Sequence, residues 1–276
     1  MNGLSRALLL CILTAFLFPG CSETGEPKRG GTTLPLMEDR FPEDVSLEFS
    51  PVSFLDVIEQ TSEYEGELVA SIPFGTFEGA DVFLHVYNEA KSTTNWDVLR
   101  GVVEIGANRY LIPDQLSNSF LEEESEFTRD RLLSLHSDFP EEDGPFHLLG
   151  AVEAFSNGPG NMVYLLFDRK EGIWRGFTEW GFPYVHDLDG DGAAELVVEF
   201  PGLHLSPPNV VLFSFSEERR LETAWVVTDK LAGGHRMFAA LNRDAEPWRI
   251  RIGTEREGEA EYVHEYRYEG GTLVRK

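Results

Sequence analysis

Short runs of apolar or alternating residues, bounded by Gly, Pro, Asn and charged positions, dominate the chain from Val45 onward. This pattern is typical of β-strands, whose side chains alternate between two faces. The sequence therefore predicts a mainly β fold with antiparallel pairing, because short turn segments join most of the runs. The predicted strands are Leu68–Phe74, Asp81–Tyr87, Val98–Ile105, Arg109–Ile112, Met162–Phe167, Ile173–Phe177, Leu196–Phe200, Val210–Phe215, Leu221–Val227, Trp248–Ile252, Tyr262–Tyr268 and Thr272–Arg275.

One segment has a different, helical pattern. Between Asn118 and His136, apolar residues such as Phe120, Phe127 and Leu132 can share one face of a helix. Acidic residues crowd the first turns, where they interact favourably with the helix dipole. We therefore predict a helical insertion over residues 118–136.

A hairpin pattern recurs in the C-terminal half. The segments that begin at Asn161 and Asn209 each read as a strand ending in Phe, a charged turn and a returning strand, and Tyr262–Val274 has the same shape. A spacing of about fifty residues suits the blades of a β-propeller or the repeated hairpins of a β-sandwich. We predict propeller-like blades over residues 161–276 and keep the sandwich as the alternative.

The N-terminal residues have the composition of an export signal. Arg6 precedes Ala7–Phe18, a stretch without charge that is too short to span a bilayer, which takes roughly 20 residues. A positive start followed by a short apolar core is the pattern of a signal peptide. We predict that residues 1–20 are removed on export.

The residues Gly20-Cys21-Ser22 resemble the lipobox of bacterial lipoproteins. The resemblance implies that Cys21 becomes the acylated N-terminus, that the protein is anchored by lipid in the bacterial cell envelope, and that Ser22 directs it to an outer membrane. Cys11, the only other cysteine, lies in the segment to be removed, so no intramolecular disulfide can form. Ordinary secretion, with Cys21 as a free thiol, is the alternative.

The composition limits the classes of partner that the protein is expected to bind. Residues 21–44 are rich in Gly, Pro and charge without an apolar period, which predicts a flexible tether before a β-rich domain over residues 45–276. The formal net charge is −25, and removal of residues 1–20 makes it one unit more negative because Arg6 is their only charged residue. Such a surface repels nucleic acid and anionic lipid headgroups but can hold cations.

The segment from Asp187 to Glu195 carries the most specific chemistry. Asp187, Asp189 and Asp191 occupy alternate positions, and Glu195 is ninth when Asp187 is counted first. Calcium takes oxygen ligands, and a sharply turning loop can direct alternate carboxylates and the carbonyl of Ala193 toward one ion. These five residues are therefore predicted to be calcium ligands.

The residues after the loop distinguish between calcium motifs. A helix-loop-helix site would have a bidentate Glu at the twelfth position, but that position is Val198, inside the strand Leu196–Phe200. The segment Asp187–Val198 resembles instead the calcium loop of FG-GAP and VCBS repeats, which implies a propeller blade and a structural calcium ion. An Asp/Gly-rich turn whose carboxylates cap local amides without a metal is the alternative.

The functional prediction is a non-enzymatic binding or scaffold module at the cell surface that recognises a protein or a glycan. A glycan-active enzyme that uses paired carboxylates is the alternative, as is a subunit of an envelope assembly. The candidate carboxylates are Glu153, Glu179 and Glu199. The aromatic residues Trp174, Trp180 and Phe182 could stack on a sugar or fill the space between sheets.

Overall fold

The computed structural model describes residues 41–276, except 54–57, 90–97, 122–131, 135–143, 157, 159, 204–205, 216–219, 233–235 and 257–258. The described residues form four antiparallel sheets, numbered here in chain order, so the prediction of a mainly β, antiparallel fold is confirmed. Every one of the twelve predicted strands overlaps an observed strand.

Each sheet is a meander of four consecutive strands, and sheets 3 and 4 each gain one short strand from the N-terminal part. Sheet 1 contains β3 (Glu67–Phe77), β4 (Ala80–Asn88), β5 (Leu99–Ile105) and β6 (Asn108–Leu116). Sheet 2 contains β7 (Leu132–Ser134), β8 (Phe146–Glu153), β9 (Asn161–Asp168) and β10 (Ile173–Trp180). Sheet 3 contains β11 (Phe182–His186), β12 (Glu195–Phe200), β13 (Asn209–Phe215), β14 (Leu221–Trp225) and β2 (Ser50–Pro51). Sheet 4 contains β15 (Met237–Asn242), β16 (Arg249–Arg256), β17 (Glu259–Glu269), β18 (Thr272–Arg275) and β1 (Asp44–Ser46).

The three similar hairpins seen in the sequence occupy equivalent places. They are β9–β10, β13–β14 and β17–β18, the last two main strands of sheets 2, 3 and 4. The recurring pattern in the sequence therefore reflects a recurring position in the sheets.

Hydrophobic clusters join the sheets in series. The first cluster packs Leu84 of sheet 1 against Leu165 of sheet 2, and the second packs Tyr164 of sheet 2 against Phe213 of sheet 3. The third packs Leu212 of sheet 3 against Ile250 of sheet 4. Among the described residues, no cluster contains members of both sheet 1 and sheet 4.

The middle sheets are buried on both faces. Neighbouring residues of a strand point to opposite faces, so Tyr164 and Leu165 enter different clusters, as do Leu212 and Phe213. A strand that is covered on both sides needs apolar residues at every position. This requirement explains why β9 and β13 read as nearly continuous apolar runs.

An N-terminal strap, described over residues 41–53 and 58–61, contacts all four sheets. Phe41 is buried in the third cluster, so the folded part begins before the predicted boundary at Val45. In chain order, the strap is held by backbone hydrogen bonds from Arg275 N to Glu43 O (2.7 Å, sheet 4), Val52 N to Leu221 O (3.0 Å, sheet 3), Ile58 N to Trp174 O (3.0 Å, sheet 2) and Thr61 N to Arg109 O (2.8 Å, sheet 1). One segment thus bonds to the last main strand of every sheet.

The predicted helical insertion is wrong where the structure describes it. Asn118–Leu121 form a short 3-10 helix, and Leu132–Ser134 form the edge strand β7, which pairs with β8. Pairing with β8 provides backbone hydrogen bonds and a place at the edge of the sheet, and this tertiary gain overrides a local helical preference. Residues 122–131, 135 and 136 lie outside the described residues, and α1 (Asp229–Ala232) is the only α-helix among those described.

Candidate metal site

The acidic segment forms the tip of the β11–β12 hairpin. His186 and Glu195 are the last paired residues, so residues 187–194 make the connection. Gly190 and Gly192 have φ angles of 82° and 94°, in the left-handed region that favours glycine. These two residues allow the chain to turn sharply enough to bring carboxylates on both sides of the tip together.

A buried leucine fixes the loop to the core. Leu188 is fully buried and belongs to the cluster between sheets 3 and 4. Its backbone N–H donates to Glu195 Oε2 at 2.8 Å, which closes the base of the loop. Because Leu188 points inward, its neighbours Asp187 and Asp189 are directed away from the core and toward the tip.

Three carboxylates meet at this tip. One oxygen from each of Asp187, Asp189 and Glu195 lies within 4.8 Å of the other two, and all three residues are half-buried. Asp187 accepts hydrogen bonds from Gly190 N (2.7 Å) and Gly192 N (3.0 Å), which hold the turn in shape. A carboxylate offers about four lone-pair sites, so these amides leave room for a cation.

The two other predicted ligands, Asp191 and the carbonyl of Ala193, differ in exposure, because Ala193 is half-buried. Asp191 is exposed, and its Oδ1 accepts a hydrogen bond from Ala193 N at 2.7 Å. Asp191 is close enough to Glu195 for its charge to raise the pKa of that carboxyl. The group of three converging carboxylates does not include Asp191 or the carbonyl of Ala193, so both remain predicted ligands.

The loop is tied to the neighbouring sheet. Asp189 Oδ2 accepts a hydrogen bond from Gly270 N at 3.3 Å, in the turn between β17 and β18. The next residue, Gly271, accepts a hydrogen bond from Leu47 N of the strap at 2.9 Å. The acidic loop, the sheet 4 turn and the strap therefore form one connected network.

The electrostatics of the loop favour a positive charge. The pKa of Glu195 is raised to about 7, chiefly by burial and also by the negative charges of Asp189, Asp191 and Asp187, against a lowering by the Leu188 N–H. Burial and the nearby Glu195 also raise the pKa of Tyr268 to about 12. A cation among the carboxylates would remove the repulsion that causes part of these shifts. The donor set is entirely oxygen, which suits a hard cation such as calcium.

His186 lies next to the loop but points elsewhere. Its ring stacks on Trp248, with centroids 4.1 Å apart, and its Nε2 lies 3.9 Å from the exposed Glu246 carboxylate. The ring is thus part of an aromatic contact between sheets 3 and 4 and does not belong to the carboxylate group.

The three carboxylates considered for catalysis are separated by the fold. Glu153 and Glu179 both pair with Met162, so they flank it on the same face of sheet 2, but Glu153 is almost fully buried and accepts a hydrogen bond from Gly160 N at 3.0 Å. Glu199 belongs to sheet 3 and accepts a hydrogen bond from Leu241 N at 3.0 Å. Burial raises the pKa of Glu179, and the buried Tyr164 hydroxyl beside it has no hydrogen-bond partner among the described residues.

The aromatic candidates have different roles. Trp174 is buried in the first cluster against Phe77 and Phe167, so it is a core residue. Phe182 is half-buried at the start of β11. Trp180 is also half-buried, and it lines a surface cleft of about 760 Å³.

This cleft was not predicted from the sequence. Its walls include Phe200, Trp225 and Met237, which come from separate strands and loops of sheets 3 and 4. The sequence signal would have been the aromatic residues at the ends of β10, β12 and β14, but their convergence depends on how the sheets pack.

The fold and the loop define an antiparallel β-protein with an acidic hairpin tip that suits a divalent cation. No family model, curated protein or solved structure matches this chain. The residues that the structure describes include no helix of the length and apolar character that a membrane span requires. Cys21, the predicted lipid attachment site, lies outside the described residues, as do residues 1–20 and 22–40.

Proposed function

We propose that this chain is an exported, lipid-anchored protein of the bacterial cell envelope, in which a calcium-stiffened hairpin supports a non-enzymatic binding or scaffold module. The observation that carries the proposal is the convergence of Asp187, Asp189 and Glu195 on a loop that is anchored by Leu188. The role of the ion would be structural, because it would join a hairpin of sheet 3 to a turn of sheet 4.

Calcium is the ion that the chemistry favours. Hard oxygen ligands exclude a preference for soft metals, and glycine-rich turns of this kind accommodate the flexible geometry of calcium. The similarity of Asp187–Val198 to FG-GAP and VCBS loops supports the same assignment and adds Asp191 and the Ala193 carbonyl as ligands. Extracellular calcium sites often bind with a dissociation constant of about 10⁻⁴–10⁻³ M.

The proposed architecture is a series of propeller-like blades. Two features support it: each sheet is a four-stranded meander, and similar hairpins end sheets 2, 3 and 4. The arrangement would be open, since the clusters join neighbouring sheets in series. A stack of sheets of the β-sandwich type is the alternative.

The cellular location rests on the N-terminal residues. A lipid on Cys21 would place the protein at a membrane surface, with Ser22 directing it to the outer membrane, and the net charge of −25 disfavours nucleic acid as a partner. Surface proteins and glycans are the remaining partner classes.

A glycan-active enzyme has weaker support. Glu153 and Glu179 share a face of sheet 2, and two strand spacings separate their backbones by about 10 Å, near the upper limit for inverting glycosidases. Glu153, however, is almost inaccessible, and neither residue belongs to the described lining of the surface cleft. Catalysis would require both carboxylates to reach a substrate.

Thermal unfolding with calcium and with a chelator tests the metal site. At a calcium concentration a hundredfold above the dissociation constant, binding stabilises the folded state by about 2.7 kcal/mol. For a domain of this size, we expect the melting temperature to rise by roughly 5–10 °C. Asp189→Asn should lose most of this increase because it removes a converging carboxylate charge.

The matched control is Asp81→Asn, which changes an exposed aspartate of sheet 1 and should keep the full response to calcium. Equal melting temperatures in calcium and chelator for the wild-type chain would rule out the metal site.

A further inference from the structure

The surface cleft combines an apolar interior with a charged rim. Phe200 and Met237 are each only 5% exposed and form part of its floor, while the half-buried Trp180 and Trp225 present part of their rings to the opening. Its volume of about 760 Å³ is within the range of small-molecule sites, roughly 300–1,000 Å³.

Neighbouring residues hold the two indole rings in place. The ring of Trp225 makes an edge contact with Phe200, with centroids 5.7 Å apart. The ring of Trp180 packs beside Gly158, where an added Cβ would lie 3.6 Å from the ring and 2.8 Å from Leu203. A larger residue at position 158 would push Leu203, so glycine keeps the wall of the cleft closely packed.

The polar groups at the cleft are of two kinds: some are hydrogen-bonded within the fold, and others are exposed where a ligand could bind. The Asn209 amide is used within the fold: Nδ2 donates to Val227 O at 2.8 Å, and Oδ1 accepts from the backbone N–H groups of Val210 and Val227, both at 2.9 Å. Exposed at the cleft are Ser206 and Asp229, which provide hydrogen-bond acceptors and a hydroxyl donor.

An occupant must match both parts of this surface. A pyranose ring does so, because its C–H faces stack on indole rings while its hydroxyl groups at the edge bond to carboxylate and hydroxyl groups. The net charge of −25 disfavours acidic sugars. A sugar whose substituents are all equatorial has the most apolar ring faces, so it suits stacking on an indole ring best.

We infer that this cleft is a binding site for a neutral, glucose-configured oligosaccharide that is held by Trp180 and Trp225. The inference rests on the proposed function as a binding module and names the class of ligand. Trp180 and Trp225 supply the stacking surfaces, and Ser206 and Asp229 bind the hydroxyl groups at the rim.

Calorimetric titration of the full-length chain with cellotetraose tests the inference, with the protein kept in a detergent that has no sugar headgroup. Trp180→Ala and Trp225→Ala should each weaken binding by about tenfold or more, because buried tryptophans dominate the binding energy of such sites. Trp248→Ala is the matched control: this residue stacks on His186 outside the described cleft lining, and its loss should leave the affinity unchanged.

Substitutions at the rim of the cleft separate an effect on ligand binding from an effect on folding. Asp229→Asn and Ser206→Ala change exposed side chains, so they should leave the melting temperature unchanged and still weaken binding. Absence of cellotetraose binding, binding that is insensitive to both the Trp180 and the rim variants, or preferential binding of the apolar peptide trileucine would each overturn the assignment.

The two proposals fail separately. Cellotetraose binding without any calcium-dependent stabilisation would remove the metal site and keep the sugar cleft. Calcium-dependent stabilisation without cellotetraose binding would keep the metal site and remove the sugar cleft.

Discussion

The negative charge of the Glu195 carboxylate is unfavourable in the acidic loop, which raises its pKa. Its carboxylate is partly desolvated and close to three aspartates. The raised pKa of about 7 reflects the free-energy cost of ionising this carboxyl in the folded state. The unfolded chain has no such conflict, so its glutamate pKa is the ordinary 4.5. In the absence of metal, the folded state therefore holds the proton more tightly than the unfolded state does.

This difference predicts a pH-dependent stability. The contribution of Glu195 is fully present below pH 4.5 and is lost as the pH rises through about 7. In chelator, the melting temperature of the wild-type chain should fall as the pH rises from 5 to about 8. The melting temperature of Glu195→Gln should fall less, because the glutamine cannot ionise but can still accept the hydrogen bond from the Leu188 N–H. Parallel pH profiles for the two proteins would contradict the assignment.

At the scale of elements, the N-terminal strap resembles a loop in sequence but behaves as part of the core. Phe41 lies in a segment rich in charge and Pro, yet it is 4% exposed and its ring contacts His264 at a centroid distance of 4.6 Å. The strap also supplies β1 and β2, the extra edge strands of sheets 4 and 3. Its contribution to stability should therefore be large.

A pair of phenylalanine substitutions measures that contribution. Phe41→Ala removes a buried ring and should reduce the free energy of unfolding by about 3 kcal/mol. Phe155→Ala removes a ring that is 54% exposed and should change it by less than about 0.5 kcal/mol. Chemical denaturation compares the two, and equal effects would mean that the strap is only loosely attached.

The strands show which signals the sequence contains. Alternating and apolar runs predicted twelve strands, but β8 (Phe146–Glu153) was missed because His147, Gly150 and Glu153 interrupt its apolar residues without a regular alternation. The helical prediction failed at β7, where pairing with β8 decides the conformation.

For the site, the spacing of Asp187, Asp189 and Glu195 anticipated their convergence, whereas the contact of Asp189 with Gly270 depends on how sheets 3 and 4 pack.

At the scale of the whole molecule, the four sheets are linked by clusters between neighbours and by the strap across their edges. Among the described residues, the acidic loop joins this framework at the end formed by sheets 3 and 4, through the buried Leu188, through Gly270 and then through Leu47 of the strap. An ion in the loop should consequently stabilise sheets 3 and 4 locally, while sheet 1 remains unaffected.

Hydrogen exchange with calcium and with chelator tests this locality. Calcium should slow exchange at Gly192, Gly270 and Leu47, whose amides bond within or next to the loop. Amides of β4 in sheet 1 should exchange at equal rates in both conditions. A uniform change across all four sheets would mean that the ion acts on global unfolding instead.

The path of the strap also determines how the protein would respond to mechanical load. The chain from Cys21 enters the described structure at Phe41, beside sheet 4, and reaches sheet 1 last. Tension applied to the strap from its N-terminal side would therefore act first on the three paired residues of β1, and it would reach the contacts with sheets 3, 2 and 1 only after those bonds had broken. The edge of sheet 4 would be the first part of the molecule to yield, while its four main strands kept their own pairing.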